Sequence, residues 1–457
     1  MITHIRIKNF KSWKDSDEVE LASLTGFFGT NSSGKSSLLQ MLLLLKQTAE
    51  RPLVEEGSIV EDVIFFGDEN SLVNLGNFCE VIHGHKEEEP LELEFGCELR
   101  EPDSIDFSGE GRTWGKSKIS NFTFNTILKE KYRRTAVQNI RYANSSDSWK
   151  IEWKRDTYYN KRLDGEQFIN GTLLGRADVQ NCYGTPREMR WEQSPIEWER
   201  KFLGQIASVF ERLFASVYYL GPTRVHPQRL YHWEGTHPDS VGQTGEDMIA
   251  SLLNARVDQR TTSYEGQNVP IEERISWWLQ EMDLGYSFSI KRTSTGRDRD
   301  YDVLIQKAPN SAKVTLADMG YGLSQFLPVM VHCYYAPEGS TLILEQPGIH
   351  LHPKVQSQLA DLLIEVITER KLQILVESHS EHLLNRLQRR IAEKKISVDK
   401  TALYFCRNDK GVSNIERLKM DEFGNIANWP ENFFGDEMGD LFAMTKAQRE
   451  RQKRTVG

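Results

Sequence analysis

The run Gly29-Thr30-Asn31-Ser32-Ser33-Gly34-Lys35-Ser36 constrains this chain more than any other stretch. It fits the pattern of a glycine, four residues, then glycine-lysine and a serine or threonine, in which backbone N–H groups turn inward around phosphate oxygens. In that reading Lys35 neutralises the outer phosphates, and Ser36, followed by Ser37, presents its hydroxyl to Mg²⁺. With glycine at about 7% of residues, such a string arises by accident in roughly one or two of a hundred chains of this length. Its context lowers those odds. Leu21 to Phe28 reads as a buried strand, and Ser36 to Gln47 has helix-forming composition with no Gly or Pro. Strand, glycine-rich loop and helix in that order call for an α/β sheet built around the loop.

A chain of 457 residues suits a large two-lobed domain or two domains. The longest apolar run, Leu38 to Leu45, is interrupted by Gln40 and is too short to cross a bilayer. No secretory signal opens the sequence, and the five cysteines lie far apart without metal-knuckle spacing, so a reducing cytoplasm is expected. A net charge of -9 argues against a whole surface given to nucleic acid. Residues 101 to 200 carry two more basic than acidic side chains, which reads first as a solvated surface.

Residues 91 to 99 alternate apolar and polar, and shorter alternating stretches recur at Ile119 to Phe124 and Trp149 to Trp153. Together they predict an antiparallel β lobe. The stretch Pro195 to Ser216 places Phe202, Ile206, Val209, Phe210 and Leu213 at helical steps and closes the insertion. No sustained heptads run anywhere, so long coiled-coil arms are disfavoured. The C-terminal half returns to α/β order. Helices are expected over Gly322 to Tyr335, Pro353 to Thr368 and Glu381 to Glu393, and strands over Thr341 to Leu344, Leu372 to Val376 and Thr401 to Cys406. The expected parts are 1–85 and 216–420 as two halves of one head, 86–215 as the inserted lobe, and 421–457 as a cap and basic tail.

Three further segments carry candidate chemistry. The apolar strand Thr341 to Leu344 ends in Glu345-Gln346, and a carboxylate there is how such enzymes present a metal-associated acid. Gly320, Gly322 and Ser324 precede an apolar helix and form an anion site, or else Asp318 or Ser324 simply caps that helix. His379 follows an apolar strand and is placed to reach a terminal phosphate. A rival reading gathers His350, His352, His379 and His382 into a zinc site.

Taken together, the Gly29 loop, the Gly320 to Gln325 element, Glu345-Gln346-Pro347 with His350-Leu351-His352-Pro353, and His379 resemble the ABC-type, OLD-like P-loop ATPases. These include chains of bacterial anti-phage defence systems such as PtuA of Septu and AriA of PARIS. The resemblance implies an ABC-type ATPase head with a mixed, mainly parallel sheet, and a homodimer or higher homo-oligomer with ATP and Mg²⁺ held between two heads. It implies Gly320, Gly322 and Ser324 as a signature element on the partner's terminal phosphate, Glu345 as the acid beside Mg²⁺, and His379 as a switch histidine. Gln47 or a residue near Asn77 is expected to serve as the glutamine-loop contact. The segment Gly424 to Phe434 resembles a C-terminal cap, or physically an aromatic-anchored extension, and Lys446 to Arg454 reads as a solvated helix end.

Two departures shape the functional expectation. Where most relatives carry a second acid, this chain has Gln346, whose amide cannot take a proton from water but can orient it. Slow hydrolysis is therefore expected. Only 51 residues follow Cys406, about the lower limit of ordinary domain sizes, so a nuclease domain is not expected on this chain. The resulting expectation is a cytoplasmic sensor or switch ATPase acting with a separate effector protein, such as a nuclease, and with no membrane. The alternatives are a DNA-repair or recombination ATPase engaging DNA through residues 86 to 215, or a scaffold in which ATP is structural.

Overall fold

The computed structural model describes the chain except residues 52–61, 107–115, 145–147, 160–161, 170–171, 179–180, 185–196, 294–298, 431–432, 434–442 and 449–457. Strands β1 (Ile2–Phe10), β2 (Trp13–Asp15), β3 (Val19–Glu20) and β4 (Leu24–Gly29) lead into helix α1 (Lys35–Glu50), and a short turn α2 (Phe78–Val81) follows. The inserted lobe is β5 (Leu91–Asp106), β6 (Lys116–Lys131), β7 (Arg134–Ala143), β8 (Ser148–Tyr159), β9 (Arg162–Ile169) and β10 (Thr172–Asp178), closed by α3 (Glu197–Ala215). Next come β11 (Val217–Leu220), β12 (Tyr231–His232), α4 (Met248–Val257), β13 (Thr261–Tyr264), β14 (Gln267–Pro270) and α5 (Ile271–Glu281). The chain continues through β15 (Ser287–Arg292), β16 (Asp300–Gln306) and β17 (Lys313–Thr315) to α6 (Tyr321–Tyr335) and β18 (Thr341–Glu345). It ends with α7 (Pro353–Arg370), β19 (Gln373–Glu377), α8 (Glu381–Ala392), β20 (Thr401–Asp409) and β21 (Val412–Arg417).

The central sheet runs β11-β18-β19-β4-β20-β21, parallel except for its last pair. Its strands are continuous apolar runs because both faces are covered. Period-two alternation divides them between two cores. Phe27, Ile343, Leu375, Ala402 and Tyr404 face the core shared with α1, α3 and the lobe. Leu24, Phe28, Leu342, Leu344, Ile374 and Val376 face the core shared with α4 to α8. Each βα crossover in the second half falls within about two residues of its expected bounds.

The lobe is larger than the alternating stretches indicate. It is an antiparallel sheet of nine strands in which β1 pairs with β5, so the chain's first strand belongs to the lobe and not to the central sheet. Ile206, Val209, Phe210 and Leu213 of α3 are buried as expected. Phe210 stacks on Tyr183 with ring centres 4.3 Å apart and meets Phe124 at 5.0 Å. A buried amide joins the two sheets: Gln373 of β19 accepts from the Ile2 N–H at 2.9 Å and donates to the Ile2 carbonyl at 2.6 Å.

The stretch between β11 and α6 folds into α4, α5 and a small antiparallel sheet of β12, β15, β16 and β17, none of which the sequence patterning resolved. At the C-terminus Phe433 is buried and sits edge-on to Phe405 and Phe28, with ring centres 4.7 and 6.2 Å away. An aromatic anchor thus ties the cap to the strand that leads into the Gly29 loop. The far end of the basic tail lies outside the described residues. No helix among the described residues is long and apolar enough to cross a membrane.

Candidate nucleotide site

The loop from Gly29 to Gly34 joins the central strand β4 to the N-terminus of α1, where unpaired backbone N–H groups favour an anion. Two glycines are required for its path. Gly29 has φ 140°, and a Cβ there would lie 2.0 Å from the Cys406 carbonyl oxygen on β20. Gly34 has φ 90°, and a Cβ would meet the Ser413 hydroxyl at 2.5 Å and the Trp13 indole nitrogen at 2.7 Å.

A cavity of about 510 Å³ opens over the loop, lined by Lys11, Ser12, residues Asn31 to Ser37, Gln346, Glu377 and His379. Its size is within the range of small-molecule sites. Lys35 is 3% exposed, and its ammonium donates to the carbonyls of Gly29 and Thr30, at 3.3 and 2.7 Å, and to the Ser33 hydroxyl at 3.3 Å. Burial lowers its pKa although Glu377 opposes the shift. A buried cation satisfied only by neutral oxygens and one carboxylate 4.0 Å away is a setting that suits phosphate oxygens.

Among the described residues Glu377 is the one carboxylate that lines this cavity. Its Oε2 accepts the Ser36 hydroxyl at 2.7 Å. Parallel pairing of β18 with β19 sets Glu345 beside Glu377 in register. Burial, and then the Glu377 charge, push Glu345 up to about 7. Burial also raises Glu377. Glu345 accepts the Tyr219 hydroxyl at 3.3 Å, and Arg224 donates to its backbone carbonyl at 3.1 Å. Two adjacent buried carboxylates next to a serine hydroxyl fit a divalent cation, which would offset the charge that protonation otherwise removes.

Gln346 takes a left-handed backbone conformation, φ 46°, with its N–H on the Glu377 carbonyl at 2.9 Å. Gln346 is part of the cavity lining. His379 lies at the rim, its pKa lowered by burial and then by the Lys35 charge.

The other candidates lie elsewhere. Gly320, Gly322 and Ser324 sit at the start of α6, apart from the lining of this chain's own cavity. Neither Asp318 nor Ser324 caps that helix. Asp318 is held by both outer nitrogens of Arg229, and Ser324 is buried and donates back to the Tyr321 carbonyl at 2.8 Å. Gln47 is not in the cavity lining: its amide pins the Phe65 carbonyl and the Val73 N–H. Asn77 caps α2. The histidines of the zinc reading are not gathered. Among the described residues the one group of metal-ligating side chains is His4, Glu18 and Glu94, while His352 caps α7 and His350 lies against the Tyr321 ring.

Four site residues were missed in the sequence: Lys11, Ser12, Trp13 and Glu377. The β1–β2 turn forms one wall of the cavity. Its Trp13 indole donates to the Gly34 carbonyl at 3.0 Å, and Ser12 accepts the Ser413 hydroxyl at 2.6 Å.

Comparison with known families agrees with this geometry. Residues 1–173 match the model described as "AAA ATPase domain", and residues 212–385 match "AAA domain, putative AbiEii toxin, Type IV TA system". Residues 396–444 match a model described as a protein of unknown function, DUF3696. No curated protein matches the chain. Solved structures similar to it include an SmcHead bound to the C-winged helix domain of ScpA, at 12% identity and a TM-score of 0.44, covering 92% of this chain and 98% of that one. An SMC head domain from Thermotoga maritima is 13% identical, with a TM-score of 0.40 and coverage of 92% and 99%. An Smc head domain with an extended coiled coil, bound to the C-terminal domain of ScpA derived from Pyrococcus furiosus, is 11% identical, with a TM-score of 0.39 and coverage of 92% and 96%. With one ATPase-domain model matching the half that holds the phosphate loop and another matching the half that holds β18 and β19, the comparisons indicate a P-loop ATPase of the AAA ATPase domain type.

Proposed function

We propose that the chain binds ATP with Mg²⁺ in the cavity over the Gly29 loop, hydrolyses it slowly, and uses the bound state to hold two ABC-type heads together. The carrying observation is the lining of that cavity, where Asn31 to Ser37 of the phosphate loop are joined by Gln346 in place of a second acid. Lys35 and the loop N–H groups would hold the phosphates, and Ser36 with one of the two buried carboxylates that end β18 and β19, Glu345 or Glu377, would hold the cation. The cation would supply charge neutralisation at the transferring phosphoryl group. Gln346 would orient water without accepting its proton, and His379 would hold the terminal phosphate from the rim. Gly320, Gly322 and Ser324 lie off the chain's own cavity, so their part as a signature element requires a second copy facing the first.

The biological setting we propose is a sensor or switch subunit of an anti-phage defence complex with a separate effector. Support for it comes from the motif resemblance and from the AbiEii toxin wording of the second family model. Steady-state ATP hydrolysis by the protein and by Lys35→Ala, with and without duplex DNA, tests the ATPase reading. Slow turnover lost in the variant is the expected result. Hydrolysis retained by Lys35→Ala would place the chemistry elsewhere, and strong stimulation by DNA would replace the defence reading with a DNA-directed one.

A further inference from the structure

We infer that Glu377, and not Glu345 at the end of the preceding parallel strand, is the carboxylate that ligates the divalent cation beside Ser36. The inference rests on the nucleotide-binding reading and assigns within it a residue that neither the motif pattern nor the resemblance singles out.

Position comes first. In the central sheet Phe27 of β4, Glu377 of β19 and Glu345 of β18 share one row. Neighbouring strands are about 4.8 Å apart, so Glu377 stands one strand from the phosphate-loop strand and Glu345 stands two, near 10 Å. Side chains follow this order. Glu377 lines the cavity and touches Ser36, whereas Glu345 is absent from the lining and is turned to Tyr219.

Spacing is the second argument. Mg²⁺ holds oxygens at about 2.0–2.1 Å in an octahedron, which sets neighbouring ligand oxygens roughly 2.9 Å apart. Ser36 Oγ and Glu377 Oε2 are 2.7 Å apart, so both oxygens meet one cation with a shift of a few tenths of an ångström. The Ser36 hydroxyl hydrogen, now donated to the carboxylate, turns to another acceptor or to water as the cation enters.

Charge is the third. Glu377 is 3% exposed, and the cation beside it, Lys35 at 4.0 Å, is also the group expected to turn toward phosphate. When Lys35 does so, a buried carboxylate is left with a serine hydroxyl and a second carboxylate in the next strand, a position that a divalent cation relieves. Glu345 then has a different part. Fixed by Tyr219 and by Arg224 on its carbonyl, it is a positioning residue that holds the β18 end from which Gln346 reaches the cavity.

Manganese binding separates this assignment from a purely structural role for Glu377. Mn²⁺ titrations of the full chain with ADP, read by electron paramagnetic resonance, are compared for wild type, Glu377→Gln, Glu377→Asp and Glu345→Gln. A fluorescent ADP analogue titrated in EDTA reports nucleotide binding without metal. Glu377→Gln is expected to weaken Mn²⁺ at least about tenfold and to leave metal-free nucleotide affinity within about threefold, with Glu377→Asp in between and Glu345→Gln close to wild type. Unchanged Mn²⁺ affinity in both Glu377 variants, or a larger loss in Glu345→Gln, overturns the assignment while the nucleotide reading stands. Wild type that binds no analogue with or without metal overturns the nucleotide reading and this assignment with it.

Discussion

The indole N–H of Trp13 donates to the carbonyl of Gly34 at 3.0 Å, which ties the antiparallel lobe to the phosphate loop at the residue before α1. Trp13 is fully buried, and the neighbouring Ser12 meets Ser413 on β21, so the turn is held from both sides. The lobe therefore fixes the wall of the site as well as decorating the head. Trp13→Phe removes this donor while the Gly34 carbonyl keeps the Ser37 and Leu38 N–H groups, so the lost bond costs about 0.5–1.5 kcal/mol. We expect ATP affinity to fall about tenfold, measured by equilibrium titration of a fluorescent analogue, with a modest drop in melting temperature. Affinity equal to wild type would mean that the loop holds its shape without the lobe.

Gly29 is the tightest backbone position of the site. A Cβ there meets the Cys406 carbonyl oxygen at 2.0 Å, and the φ of 140° is unfavourable for any L side chain. Strain of this kind costs 1–3 kcal/mol, and a backbone clash adds to it. Gly29→Ala should destabilise the protein by at least about 3 kcal/mol in urea unfolding and abolish detectable nucleotide binding. The matching change at Gly320, where a Cβ meets nothing within 4 Å, should leave stability within about 0.5 kcal/mol.

What the sequence disclosed and what it hid divide along contact range. The phosphate loop is a local pattern, since seven residues span Gly29 to Lys35, and the buried parallel strands β18, β19 and β20 announce themselves as apolar runs between helices. Glu377 was concealed because its meaning comes from a hydrogen bond to a serine 341 positions away. Trp13 and Lys11 reach the site through a turn held by the distant Val81 and Ser413. Gln47 was misleading for a related reason. A glutamine at the end of an apolar run looks free to reach a ligand, but Gln47 lies inside α1 and both atoms of its amide are taken by the backbone at Phe65 and Val73. The stretch from β12 to β17 mixes short strands with helices, and no single period runs long enough there to be read.

Behind the site, His332 of α6 is 1% exposed, with neither ring nitrogen hydrogen-bonded, and burial followed by the Arg224 charge lowers its pKa to about 3. A depressed histidine is neutral in the fold, so its contribution is complete above the unfolded value of about 6.5 and is lost as pH falls toward 3. Between pH 7 and pH 5 the linkage removes about 2 kcal/mol. His332→Leu fills similar volume and removes both unpaired nitrogens. Urea titrations should show the variant at least as stable as wild type at pH 7, with a difference that grows in its favour by about 2 kcal/mol at pH 5. A constant difference across that range would show that His332 finds a partner on protonation.

Gln346 is where the proposed chemistry is weakest by design, and it gives the sharpest change of rate. Its backbone is fixed by the N–H bond to the Glu377 carbonyl, so a glutamate there inherits the same left-handed bend and the same place in the cavity lining. A carboxylate adds a proton acceptor that an amide lacks. Glu345 and Glu377 nearby, both already raised by burial, would push the new acid toward neutral pH, where a general base works best. Proton transfer of this kind contributes about 10²–10⁴-fold, and crowding by two like charges takes back part of it. We expect Gln346→Glu to raise single-turnover hydrolysis of saturating ATP about 10- to 100-fold at pH 7.5 and to shorten the life of the ATP-held dimer in the same proportion. If the rate stays at the wild-type level, water activation is not what limits this enzyme. Release of the two heads would then set its pace.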